Sequence, residues 1–236
     1  MSPPIVAGGY SRPLPGFVEC GDVFVIRRQE PAGPQDGGQP PQNPQNPQNP
    51  RNEQTTALLV AVIDGLGHGR EASEAAQAAA RTVLDHRQLP LDEILRYCDR
   101  DLHSTRGAAM GVLRLAADGH GEFCGIGNIE VLSLAGQPPG LFCLAGIVGH
   151  NLRAVRTMPF VMRNGDIYCL HTDGVSSRGN LRACLPGPPE AVARRIVDDW
   201  GRQHDDATAV VLGLDAGHQL PAGASPSEAG PQASFT

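Results

Sequence analysis

The sequence is poor in aromatic residues, which make up 4% of its 236 residues, and it has no long apolar run. The longest apolar stretch, Ala57 to Ile63, is far shorter than the roughly 20 residues that a membrane-spanning helix needs. The first six residues have neither the basic start nor the apolar stretch of a signal peptide. We therefore predict a cytoplasmic protein without a membrane segment.

A basic excess is also lacking, because 19 Lys and Arg residues stand against 25 Asp and Glu residues, for a net charge of -6. Such a chain offers no basic face on which a duplex could displace its counterions, so nucleic acid is not an expected partner. The six cysteines contain no C-x-x-C pair. Isolated thiols are therefore expected rather than a zinc site or a disulfide framework.

Glycine and proline are abundant instead, with 29 and 21 residues. Residues 31–52 are rich in Pro, Gln and Asn and contain three consecutive Gln-Asn-Pro triplets, and residues 216–236 are rich in small residues. Such segments bury too little apolar surface to offset the entropy of ordering. We predict a single domain over residues 1–215, with a disordered insert at 31–52 and a disordered tail at 216–236.

Apolar periodicity predicts both strands and helices in the rest of the chain. The predicted strands are 18–28, 56–63, 108–116, 121–127, 129–134, 167–172 and 207–214, and the predicted helices are 71–86, 91–102 and 190–200. The first two strands flank the insert, which then replaces a hairpin turn. Because strands and helices do not alternate strictly, the pattern favours an α+β fold with helices stacked outside antiparallel sheets.

Four aspartates lie at the ends of predicted strands: Asp22, Asp64, Asp173 and Asp206. A single aspartate in such a place is usually a turn former. Strand ends converge in a sheet, however, and several carboxylates at one rim repel each other unless a cation neutralises them. Oxygen ligands suit Mg²⁺ or Mn²⁺, and two such ions can hold and activate a water for in-line attack on phosphorus. The set therefore predicts a phosphoester hydrolase.

A glycine-rich loop follows the second of these aspartates and leads into the first predicted helix. Its sequence is Gly65-Leu66-Gly67-His68-Gly69. Gly65 has no Cβ, so its carbonyl can approach a metal ion closely. A turn from strand to helix also directs free N–H groups towards anions, which favours phosphate binding. His68 is either a hydrogen-bond donor that supports a ligand or an ordinary loop residue.

Seven short motifs occur in order along the chain. They are Glu19-Cys20-Gly21-Asp22, Ile63-Asp64-Gly65-Leu66-Gly67-His68-Gly69, Arg106-Gly107-Ala108-Ala109-Met110, Gly125-Ile126-Gly127-Asn128, Gly146-Ile147-Val148-Gly149, Leu170-His171-Thr172-Asp173-Gly174-Val175 and Asp205-Asp206-Ala207-Thr208. This ordered set resembles the bacterial PPM (PP2C-like) serine phosphatases, in particular the SpoIIE/RsbX-type branch that regulates anti-sigma pathways. The resemblance covers residues 8–214 apart from the insert.

The resemblance implies an α-β-β-α sandwich, in which two antiparallel sheets lie face to face between helices and a two-metal centre occupies one rim. Asp64 would then bridge two Mn²⁺ or Mg²⁺ ions, while the Gly65 carbonyl and Asp22 would bind the first ion. Asp173 and Asp206 would complete the second. The nucleophile would be a water bound to these ions, so Asp64 and Asp173 would act in catalysis by holding the ions.

The substrates implied by the resemblance are phosphoserine or phosphothreonine on STAS-domain proteins, either anti-sigma antagonists or stressosome components. A short chain with no sensor domain ahead of the motifs resembles the free-standing RsbX-like phosphatases. Asp205 is then expected to be a structural neighbour rather than a ligand. Arg12, Arg27 and Arg70 are candidates for a phosphate clamp only because they lie near motifs in the sequence.

Two alternatives stay open. A GHKL-type anti-sigma switch kinase or ATP-binding protein also uses an Asp followed by spaced glycines, but its second glycine would stand where this sequence has Leu66. A PPM-fold protein without activity would act as a binding module. All four aspartates are present, which favours the enzyme.

Overall fold

The computed structural model describes residues 5–29 and 57–214, so the predicted insert and tail lie outside the described residues. Nine strands and three α-helices follow one another in this part of the chain. They are β1 (Ile5–Arg12), β2 (Asp22–Gln29), β3 (Ala57–Gly65), α1 (Arg70–Asp85), α2 (Leu91–Asp101), β4 (Ala108–Ala116), β5 (His120–Ile126), β6 (Glu130–Ala135), β7 (Thr157–Val161), β8 (Ile167–His171), α3 (Pro189–Trp200) and β9 (Ala207–Leu214). A short 3₁₀ helix, Leu181–Cys184, precedes α3.

The strands form two antiparallel sheets. The four-stranded sheet has the order β1-β9-β8-β6, and the five-stranded sheet has the order β2-β3-β4-β5-β7. Helices α1 and α2 pack on the five-stranded sheet, and α3 packs on the four-stranded sheet. The two sheets share an apolar core, so they lie face to face. The predicted α-β-β-α sandwich is confirmed.

Alternation along the strands explains how one sheet serves two apolar layers. Val60 and Val62 of β3 point into the core between the sheets, where they join Leu170 of β8. Leu59 and Ile63, on the other face of β3, belong to the layer under α1 and α2. A strand buried on both faces reads as a continuous apolar run, which is why β3 was the longest apolar stretch of the sequence.

Small residues bring α1 close to the five-stranded sheet. Ala72, Ala75, Ala76 and Ala79 recur at helical spacing and are fully buried. Because their side chains are single methyl groups, the helix backbone approaches the end of β3 so closely that a Cβ at Gly65 would collide with the Ala72 carbonyl oxygen. This packing fixes the position of the chain beside Asp64. It also requires glycine at position 65, whatever the role of the Gly65 carbonyl.

The predicted elements agree with the structure within two residues at their ends, with one exception. The first predicted strand begins too early, because residues 18–21 form a loop in which Val18 is 97% exposed, and β2 begins at Asp22. Two strands were not predicted. In β1, Gly8 and Gly9 interrupt the apolar alternation, and β7 contains Pro159, which an edge strand tolerates.

All six cysteines lie in the described part of the chain and all are free thiols. Burial raises the pKa of Cys98 and of Cys143 to about 12, so these thiols stay protonated at neutral pH. They pack as small apolar side chains. Among the helices that the structure describes, none combines the length and the apolar character needed to cross a membrane.

Candidate metal centre

The four aspartates singled out in the sequence meet at one end of the sandwich. Asp22 begins β2 and is the register partner of Asp64, near the end of β3 in the same sheet. Asp173 follows β8 by two residues, and Asp206 immediately precedes β9, the neighbour of β8 in the other sheet. The site therefore lies where the rims of the two sheets face each other.

Hydrogen bonds join the two sheets at this rim. The Thr172 hydroxyl donates to Oδ2 of Asp22 at 2.8 Å and accepts from the Thr208 N–H at 3.1 Å. The Leu14 N–H donates to Oδ1 of Asp206 at 2.8 Å. Two of the aspartates are thus held in place by neutral donors, and these bonds leave their other oxygens for further contacts.

Burial and mutual repulsion raise the pKa values of these carboxyls. The pKa of Asp22 lies well above its usual value, chiefly because the group is buried and secondly because of the charge of Asp64. The pKa of Asp64 is raised to about 7 by burial first and by the charge of Asp173 second. Asp206 contributes to the rise of both pKa values. The rim concentrates negative charge, and a cation bound there would offset the repulsion.

One carboxylate oxygen of this rim, Oδ2 of Asp206, is buried without a hydrogen-bond partner among the described residues. A Cβ placed on Gly21 would lie 2.7 Å from this oxygen, so a glycine at this position keeps the space beside it clear. Leaving a buried carboxylate oxygen unsatisfied is costly. Hard divalent cations take oxygen ligands, so the donor chemistry of the rim fits Mg²⁺ or Mn²⁺.

Within residues 5–29 and 57–214, no group of three or more His, Cys, Asp or Glu side chains is gathered closely enough to form a ready-made metal site. Three of the aspartates each accept a hydrogen bond from a protein donor through one oxygen. The structure brings the aspartates to one rim. The ligand set therefore stays a prediction: Asp22, Asp64, Gly65, Asp173 and Asp206.

Asn128 belongs to this site, although no role was predicted for it. Its Nδ2 donates to Oδ2 of Asp173 at 2.8 Å, and the same side chain favours the charged form of Asp64. Asn128 lies in the turn between β5 and β6, directly after Gly127, whose φ of 95° requires glycine. The sequence signal for such a role is a polar residue that directly follows a Gly-x-Gly segment at the end of a strand.

The main chain of the glycine-rich loop is partly committed to internal hydrogen bonds. The Gly65 N–H donates to the Gly21 carbonyl at 3.0 Å, and the Leu66 N–H donates to the Gly107 carbonyl at 3.0 Å. These two N–H groups are not free to bind an anion. These two groups therefore take no part in the predicted phosphate cradle, because they bind the residues that directly precede β2 and β4. Phosphate binding at the start of α1 stays a prediction.

The three arginines proposed as a phosphate clamp make other contacts or lie elsewhere. Arg12 donates to the Arg202 carbonyl at 2.8 Å. Arg70 forms an exposed ion pair with Glu74 at 2.7 Å. Arg27 is an exposed residue in the middle of β2. None of these contacts involves an aspartate of the rim, so the phosphate clamp stays a prediction.

Two side chains cover the glycine-rich loop instead. Nη1 of Arg106 lies 2.7 Å from the point that a Cβ on Gly67 would occupy, and the same guanidinium forms an ion pair with Glu71. His68 packs edge-on against Phe17, with ring centroids 5.1 Å apart. No hydrogen bond from His68 to an aspartate occurs in the described part. Arg106 is the basic side chain that this loop contacts.

Comparison with known proteins places this architecture among related chains. No family model matches the sequence. The phosphoserine phosphatase RsbX of Bacillus subtilis (strain 168) is 25% identical over 122 residues, which make up 50% of this chain and 61% of RsbX. The match therefore spans less than two thirds of the length of this curated relative.

Solved structures cover more of the chain. One, described with the bacterial stressosome, a modular system adapted to control secondary messenger signaling, is 26% identical with a TM-score of 0.72, over 89% of this chain and 99% of that one. RsbX in complex with magnesium is 20% identical with a TM-score of 0.68, over 89% and 95%. The PP2C phosphatase domain of SpoIIE from Bacillus subtilis is 14% identical with a TM-score of 0.68, over 91% and 64%. The PP2C-like fold and the resemblance predicted from the motifs are confirmed.

Proposed function

We propose that this PP2C-like chain is a metal-dependent protein serine/threonine phosphatase. The observation that carries the proposal is the rim between the sheets, where Asp22 and Asp64 oppose each other and a buried oxygen of Asp206 has no partner in the described residues. A protein does not gather such charges for stability, because each buried carboxylate costs free energy unless something positive compensates it. Bound cations would provide that positive charge, and the aspartates would then serve as their ligands.

The proposed ligands divide between two ions. Asp64 would contact both ions, the Gly65 carbonyl and Asp22 would contact the first, and Asp173 and Asp206 would contact the second. When bound, two Mn²⁺ or Mg²⁺ ions would lower the pKa of a water and neutralise the charge of a phosphoryl group. RsbX, a structural neighbour of this chain, was solved with magnesium, which supports this choice of cation.

The residues around the aspartates have separate tasks in this proposal. Asn128 fixes the rotamer of Asp173 by holding Oδ2 at 2.8 Å. The Thr172 hydroxyl holds Asp22 and at the same time binds the strand that follows Asp206. Asp205 accepts a hydrogen bond from the Asp206 N–H at 3.0 Å, which suits a turn residue rather than a ligand. Positions set in this way reduce the reorganisation needed when cations and substrate bind.

The proposed substrate is phosphoserine or phosphothreonine on a STAS-domain protein, either an anti-sigma antagonist or a stressosome component, in the cytoplasm. Two comparisons support it: the relative RsbX is a phosphoserine phosphatase, and a structural neighbour belongs to a study of the stressosome. We infer a regulatory partner protein in a stress pathway and, more specifically, a phosphorylated STAS-domain protein.

The test is release of phosphate from a phosphoserine STAS-domain protein by the full chain, measured with Mn²⁺ and with EDTA. We expect activity only with the ion, and a loss of about 100-fold or more in Asp64→Asn and Asp173→Asn, since each change removes charge at the ions. Asp118→Asn is the matched control, because Asp118 lies in the distant turn between β4 and β5.

Full activity in the Asp64→Asn and Asp173→Asn variants would contradict the assignment. ATP binding without phosphatase activity would favour the GHKL-type kinase, and neither activity would favour a binding module.

A further inference from the structure

A groove of about 460 Å³ lies along the outer edge of β6. Its floor is formed by residues 131–134 of that strand, and its two walls are residues 138–141 and 179–182. We call it the edge groove. Apolar side chains and prolines form most of its surface, and Ser133, Asn180 and Arg182 supply polar groups. No residue predicted to bind metal lines it.

The strand in the edge groove is the last of its sheet. Strand β6 pairs with β8 on one side, and it ends the order β1-β9-β8-β6. In the described part of the chain, no main-chain hydrogen bond from another segment reaches the opposite side of residues 130–135. An edge strand of this kind presents a row of N–H and C=O groups to which an extended peptide can add.

The two walls of the edge groove stand on opposite faces of the sheet. Val131 and Leu141 belong to the core between the sheets, whereas Leu132, Leu134 and Leu181 belong to the layer under α3. A strand added beside β6 would send successive side chains alternately to these two faces. The edge groove therefore offers apolar contacts to both sets of side chains, which a flat sheet edge does not.

The edge groove continues from the candidate metal centre. Strand β6 begins at Glu130, two residues after Asn128, which donates to Asp173. The second wall, residues 179–182, belongs to the chain that follows Asp173. At about 3.3 Å per residue, residues 131–134 lie roughly 10–20 Å along an extended chain from Asn128. A peptide whose phosphoserine reached the aspartates would pass along the edge groove with residues three to six positions away.

Charge at the edge groove suits an acidic peptide. Arg182 is exposed, and its side chain has neither an ion pair nor a hydrogen bond to another described residue. Asn180 is exposed beside it. A guanidinium at this place gives a negative charge on a bound peptide an attractive partner several positions from the phosphoserine.

We propose that the edge groove binds the segment of a phosphoprotein that flanks its phosphoserine, as an extended strand added to β6, with apolar residues against the two walls and an acidic residue at Arg182. This inference rests on the proposed phosphatase function. It makes the edge groove a determinant of substrate choice that is separate from the metal centre. It also predicts that residues three to six positions from the phosphoserine set the efficiency of the reaction.

The first test compares two substrates with Mn²⁺: a small aryl phosphate, and a phosphoserine peptide with apolar and acidic residues at positions three to six on either side. The quantity measured is the ratio of kcat/KM for the peptide to kcat/KM for the aryl phosphate. We expect Arg182→Glu to lower this ratio roughly tenfold, because a charge that attracted the peptide now repels it. Arg81→Glu, a charge reversal on the exposed face of α1, is the matched control and should keep the wild-type ratio.

The second test uses peptides methylated on main-chain nitrogens. Strand addition uses every second N–H of the peptide, so methylation of one alternating set should raise KM about tenfold and methylation of the other set should change it little.

Equal effects of both sets on KM, or an unchanged kcat/KM ratio in Arg182→Glu, would overturn the inference. Concentration-dependent self-association that Arg182→Glu abolishes would also overturn it, by assigning the edge groove to a second copy of the chain. Wild-type protein that hydrolyses neither substrate would instead contradict the phosphatase function, and direct binding of the unphosphorylated peptide would still test the edge groove.

Discussion

Asp22 and Asp64 face each other across the β2–β3 pair at the rim of the five-stranded sheet. Directly opposed residues on antiparallel strands have their Cβ atoms about 4.5–5.5 Å apart, and like charges in such a pair are destabilising. Asp22 is 4% exposed, so water screens this repulsion weakly. The pair therefore lowers the stability of the fold at a place where the two carboxylates can bind a cation.

The pair leads to a prediction about stability without metal. We expect Asp22→Asn to raise Tm in EDTA, because it removes one of two opposed charges while its amide oxygen can still accept the bond from Thr172. About 1 kcal/mol of relieved repulsion corresponds to about 2–4 °C in a chain of this size. Thermal unfolding followed by circular dichroism measures the change.

The same variant should respond weakly to Mn²⁺. Wild-type protein gains stability from ions that bind only the folded state, whereas Asp22→Asn lacks one of the proposed ligands. The order of the two Tm values should therefore reverse between EDTA and saturating Mn²⁺. An equal rise in both proteins would show that Asp22 does not contact the ion.

Much of the fold could be predicted because its signals are local. Strands β4 and β9 are apolar runs bounded by turns, and the sequence predicts both at their observed bounds, Ala108–Ala116 and Ala207–Leu214. The helices α1 and α2 show their buried faces in the spacing of alanine and leucine. Strand β1 could not be found in this way, because Gly8 and Gly9 interrupt its apolar pattern and its partner β9 lies at the far end of the described chain.

The arrangement within the candidate site depends on contacts between distant residues. Each aspartate was recognisable beside a buried strand, but the bond from Thr172 to Asp22 spans 150 positions and the bond from Asn128 to Asp173 spans 45. No local spacing encodes such pairs. For the same reason, the sequence indicated Arg12, Arg27 and Arg70 as candidates for a phosphate clamp but did not indicate Arg106. The pairing of β3 with β4 brings Arg106 to Gly67.

Asn128 gives a prediction about catalysis. Asn128→Ala removes the donor that holds Oδ2 of Asp173, and hydrogen bonds to charged groups contribute about 1.5–3 kcal/mol. We expect kcat to fall roughly 10- to 100-fold, with a weaker affinity for Mn²⁺ measured by titration. Asn128→Asp should be worse than the alanine variant, because it places another carboxylate against Asp173. Activity in Asn128→Asp equal to wild type would contradict a donor role for this residue.

Arg106 gives a prediction about substrate binding. Its guanidinium covers Gly67 and forms an ion pair with Glu71, and its side chain is 49% exposed. If it holds a phosphoryl oxygen equally in the bound and reacting states, Arg106→Gln should raise KM for an aryl phosphate about tenfold and leave kcat within about threefold.

Two measurements separate this role from a structural one. Tm of Arg106→Gln should stay within about 2 °C of wild type, because exposed ion pairs contribute little to stability. Arg70→Gln is the matched control, since Arg70 also forms an exposed ion pair near the start of α1 but does not cover the loop. A KM for Arg106→Gln that equals the KM of the control would remove Arg106 from the site.

Thr172 couples the two sheets, so its hydroxyl should matter for stability without any metal. In Thr172→Val, Oδ2 of Asp22 loses its donor and the buried N–H of Thr208 loses its acceptor. A buried polar group left unpaired costs about 1–3 kcal/mol, which corresponds to a fall in Tm of at least about 2–4 °C for a chain of this size. Thr172→Ser keeps the hydroxyl and loses one methyl group, so it should be the more stable of the two variants in EDTA. If Thr172→Val were as stable as Thr172→Ser, the packing of the methyl groups rather than these hydrogen bonds would join the two sheets beside the aspartates.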